Sequence, residues 1–84
     1  MNKYVGLLDK IRETQPLLVR FTLQTIHESI NCVVADIEII DKLLIMDDGK
    51  YNIVVTGHFN KRNQLVIESM QIRNPAHFTR SMGI

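Results

Sequence analysis

Three histidines, one cysteine and a tandem aspartate have the most chemical reach in this 84-residue chain, and none stands in a reactive arrangement. His27, His58 and His77 lie too far apart for a local metal-binding spacing, and Cys32 is the one thiol that could join them. Cys32 opens an apolar run, a setting where thiols are inert core residues. A nucleophile needs a base within hydrogen-bond reach and a group to orient that base. Ser29, Ser69 and Ser81 lack flanking elbow glycines, and His27 and Glu28, as chain neighbours, point apart on any regular element. Asp47-Asp48-Gly49 lacks the regular oxygen ligands and distal Glu of a calcium loop. The four glycines are scattered, so no backbone cradle for phosphate is encoded. The sequence predicts no catalysis, no metal and no cofactor.

Binding chemistry remains. Lys50, Lys61 and Arg62 fall in or beside expected turns, while His58, Phe59, Arg73, His77, Phe78 and Arg80 supply groups that stack on bases or contact phosphates. The net charge of +1 conceals an asymmetry. Residues 1–49 carry five basic against eight acidic side chains, a net of −3, and residues 50–84 carry five against one, a net of +4. Opposite halves suit either an anionic partner for the basic end or mutual attraction within a monomer or oligomer.

These groups need elements to hold them. Tyr4, Leu7, Leu8 and Ile11 fall at i, i+3, i+4 and i+7, which predicts a helix over 2–14, capped by Asn2 and ended by Pro16. An antiparallel meander follows over 17–72. Leu17, Val19, Phe21 and Leu23 alternate with polar residues in a first strand, 17–25. A second, 32–40, places Val33, Ala35, Ile37 and Ile39 on its apolar face. Asp48-Gly49 predicts a hairpin that opposes Met46 to Tyr51 and Leu44 to Ile53. Tyr51, Ile53, Val55 and Phe59 form the inward set of strand 51–59, with Gly57 marking a bulge. A turn at 60–63 leads to a last strand, 64–72, in which Leu65 and Ile67 alternate one way and Val66, Met70 and Ile72 the other. Asn74-Pro75 opens a tail, 73–84, with Phe78, Met82 and Ile84 as its apolar groups.

One domain over 1–84 is expected, mainly β within the α+β class: an N-terminal helix and about five antiparallel strands curled into a small barrel. The element order resembles that of SH3-like and Sm-like barrels. The Sm family's first-loop glycine and Asn-rich signature are absent, so the likeness is architectural. The competing arrangement packs two helices, 2–14 and about 18–30, on a four-stranded antiparallel sheet.

No apolar run approaches a membrane span, and Lys3, Asp9 and Lys10 interrupt the apolar N-terminal segment as a signal peptide would not. A lone cysteine favours a cytoplasmic setting. The sequence points first to a non-enzymatic protein–protein module. That module is a small accessory or inhibitory subunit, itself a homo-oligomer, acting through a β-edge or the C-terminal tail. The alternative is a small barrel that binds single-stranded RNA, DNA or a nucleotide through the basic C-terminal half.

Overall fold

Residues 2–15 form a strand, and the expected helix over 2–14 is corrected. The computed structural model describes residues 1–73. Strand β1 (Asn2–Gln15) pairs antiparallel with two neighbours: β2 (Leu18–Gln24) from Leu7↔Gln24 to Gln15↔Leu18, and β4 (Tyr51–Phe59) from Asn2↔Gly57 to Leu8↔Tyr51. Two ladders on one segment outweigh the modest helix preference of its Leu, Lys and Arg residues. The misleading periodicity has a local origin. Tyr4, Gly6 and Leu8 turn inward at a period of two, and the ladder then takes in one extra residue between Asp9 and Arg12, where Lys10 has φ of 54°. The bulge shifts the inward position to Ile11. With Gly6 contributing no side chain, the inward residues stand at 4, 8 and 11, which is helical spacing.

Strand β2 matches its expectation, with Val19, Phe21 and Leu23 buried; Leu17, in the preceding turn, is exposed. Strand β3 (Ser29–Val34) buries Ile30, Cys32 and Val34, the opposite set from the one the sequence suggested for 32–40. The chain then leaves the sheet. Asp36 caps helix α1 (Ile37–Leu43), its carboxylate accepting from the Glu38 and Ile39 N–H groups at 2.9 and 3.3 Å. Ile39, Ile40 and Leu43 carry the helix into the barrel's hydrophobic core.

No hairpin forms across Asp48-Gly49. The segment instead closes the open edge of β1: the Asp48 carboxylate accepts from Ile11 N–H at 2.8 Å, and Gly49 N–H donates to Leu8 O at 2.8 Å. Gly49 does adopt the positive φ, 72°, that the motif promised.

Strands β4 and β5 (Leu65–Ile72) form the one hairpin the sequence placed correctly at the C-terminal side, through the turn at 60–64. Ile53, Val55 and Gly57 face inward, whereas Phe59, expected inside, is 38% exposed at the barrel mouth. The bulge expected at Gly57 is present, with Glu68 as the extra residue opposite Thr56 and Gly57. It explains the two registers of the last strand: Leu65 and Ile67 are buried before it, Met70 after it.

The sheet closes in the order β1-β2-β3-β5-β4. This is a five-stranded barrel but not a simple meander, because β5 lies between β3 and β4. It joins β3 in a short parallel ladder, Cys32↔Leu65 and Val33↔Val66. No polar or charged side chain is buried among the described residues.

Candidate functional site

A closed barrel turns alternate residues of each strand outward, and on β2 and β3 these include Arg20, Thr22 and Asn31. The β1 bulge delivers Lys10, Arg12 and Thr14 to the same side. Together with Gln64, at the entry to β5, they line a groove of about 420 Å³ whose floor is Phe21 and Cys32. Arg12 lies directly across from Arg20 in the β1–β2 ladder. Neither these two nor Lys10 is in an ion pair among the described residues. Like charges placed directly opposite one another on a sheet repel, so the local arrangement favours an anion that would sit between them.

The groove can grip but has little means to react. Burial pushes the Cys32 thiol up to about 12, only partly offset by a backbone hydrogen bond from Leu23, so its nucleophilic thiolate is suppressed. Among the described residues no group of three His, Cys, Asp or Glu side chains could hold a metal ion. Guanidinium forks, an ammonium and amide and hydroxyl groups in one concavity suit phosphodiester or carboxylate oxygens.

The residues singled out in the sequence are placed elsewhere. Lys50 pairs with Asp47 at 3.4 Å in the exposed segment before β4. His58, on the outer face of β4, meets Glu68 of the β5 bulge at 2.9 Å. Lys61 and Arg62 occupy the β4–β5 turn that delivers Gln64 to the groove, where Asn60 Oδ1 accepts from the Arg62 and Gln64 N–H groups. Arg73 follows β5, its N–H donating to Asn52 O at 2.7 Å. His77, Phe78 and Arg80 lie outside the described residues, as does the rest of the tail from residue 74. The groove's three cations all come from the half of the chain that is net acidic. A helix over 2–14 hid Lys10 and Arg12; the polar face of the 17–25 strand already displayed Arg20 and Thr22.

A five-stranded closed barrel with this strand order and a helix between β3 and β4 has the architecture of the OB fold, whose β2–β3 face and β1–β2 and β4–β5 loops are a common ligand surface. Among solved structures, the chain is similar to one in the crystal structure of the S. pombe Stn1-ten1 complex. The TM-score is 0.76 at 15% identity, over 94% of this chain and 62% of that one. At that identity the likeness concerns the fold, and the chain spans less than two thirds of its neighbour's length. No protein-family model matches the sequence, and no curated protein does. Among the described residues, no helix is long and apolar enough to cross a membrane.

Proposed function

We propose that this protein binds single-stranded nucleic acid, its phosphates lying along Lys10, Arg12 and Arg20. The observation that carries this reading is the Arg12–Arg20 juxtaposition in a concave face. Two arginines at paired positions, neither in an ion pair among the described residues, are unfavourable in the free protein and favourable beside a phosphodiester. Thr22, Asn31 and Gln64 add hydrogen-bonding groups to the same groove. The reading moves the nucleic-acid site from the basic C-terminal half to the β1–β2–β3 face.

Titration of a labelled single strand of about 12 nucleotides at several salt concentrations tests it. Three phosphate contacts predict a slope of roughly −2 in log affinity against log salt. A flat salt response, or no binding at about 50 mM salt, sinks the reading.

A second reading rests on a separate observation. β3 pairs with β5 only at Leu65 and Val66, so β5 from Ile67 onward has no second neighbour among the described residues, and Ile72 there is 42% exposed. Such an edge suits a protein partner or a second copy of the chain by strand addition. The neighbour's presence in a two-protein complex is compatible with it. A monomer by light scattering at micromolar concentration would remove the second copy.

A further inference from the structure

Asn31, which lines the groove, also lines a smaller cavity of about 100 Å³ between the start of β3 and the end of β4. Phe59 forms one wall. Its ring stands 6.1 Å from that of Tyr4 at 77°, an edge contact that holds it in place while leaving 38% of the residue exposed. Buried Ile30 lines the cavity together with the polar residues Asn31 and Asn63.

The charge here differs from that of the groove. Glu28 lines the cavity and none of Lys10, Arg12 or Arg20 does, so a phosphate is disfavoured where it would be welcomed a few residues away. A flat, neutral group with hydrogen-bonding edges fits, and it has room for one ring system rather than a run of nucleotides.

We infer that Phe59 is a stacking platform for a single unpaired base, at the end of a strand whose phosphates run along Arg12 and Arg20. The inference rests on the nucleic-acid reading above and adds to it a base-contacting compartment separate from the phosphate track. It gives the site a direction, since one end of the groove holds charge and the other holds a base.

The chain contains no tryptophan, so Phe59→Trp installs a unique fluorescent reporter at this wall. An oligothymidylate of about 12 nucleotides should bind this variant and quench its emission. An abasic strand of equal length should bind by anisotropy, about tenfold more weakly, without quenching. Oligothymidylate that binds without quenching, while Phe59→Leu binds as tightly as the wild type, overturns the stacking site and leaves the phosphate track standing. Failure of the wild type to bind any strand overturns both. Circular dichroism of the Phe59→Leu protein separates lost stacking from lost folding.

Discussion

Arg12 on β1 stands directly opposite Arg20 on β2, with no acidic partner in an ion pair to either among the described residues. A sheet whose stability alone mattered would place a carboxylate at one of these positions, because opposite charges across a ladder stabilise and like charges destabilise by roughly 0.2–1 kcal/mol.

The pair therefore predicts a trade. Arg20→Gln should leave the thermal midpoint unchanged or slightly raised, since both side chains are exposed and the repulsion removed is small. The same variant should bind single-stranded nucleic acid several-fold more weakly, with the salt slope reduced by about 0.7. Differential scanning fluorimetry and anisotropy on the same samples test this. A lower midpoint with undiminished affinity would make Arg20 a structural residue.

Gly57 predicts the opposite balance. A Cβ there would lie 2.0 Å from the Val66 carbonyl oxygen, a backbone atom that cannot move aside without breaking the β4–β5 ladder. Gly57→Ala should destabilise by roughly 2 kcal/mol or more, measured by urea denaturation. Gly49→Ala, at positive φ but with its nearest neighbour 3.8 Å away, should cost only about 1 kcal/mol. Equal costs at the two positions would contradict the close approach of β4 and β5.

Cys32 makes stability depend on alkaline pH. Its folded pKa of about 12 lies above the ordinary 9.0, so the folded state retains the proton more strongly than the unfolded chain. The resulting contribution is complete below pH 9.0 and fades as pH rises toward 12. Wild-type protein should lose more stability than Cys32→Ala over that range, in parallel urea titrations. The native thiol should react with a disulfide reagent only as fast as the protein opens. Rapid labelling at neutral pH would show that the thiol is not sealed in the core.

Several features of the barrel were legible because they depend on neighbours in the chain. Val19, Phe21 and Leu23 announced β2 by alternation, and the β4–β5 turn and the bulge at Gly57 were local signals that the ladder honours. The two incompatible registers of the last strand were visible in the sequence, but their cause, Glu68 as an extra residue opposite Thr56 and Gly57, appears only in the ladder.

Other features were illegible for an equally definite reason. Spacing cannot distinguish a helix from a strand interrupted by a bulge, and in β1 the silent Gly6 and the bulge at Lys10 turned one into the likeness of the other. Gly49 has the positive φ that the motif calls for but Asp48 does not, and the Asp48 carboxylate went to Ile11 N–H, 37 positions back in the chain. The groove was hidden by the same cause, since Lys10 and Arg12 belong beside Arg20 only when β1 is a strand.

By itself, then, the sequence determined a small, mainly β barrel with an apolar core. Which strands adjoin, that β5 closes onto β3, and that the basic face is built from the net-acidic half were decided by tertiary structure. Local propensity differs between helix and strand by a few tenths of a kcal/mol per residue, and pairing with two neighbours outweighs that margin along the whole of β1.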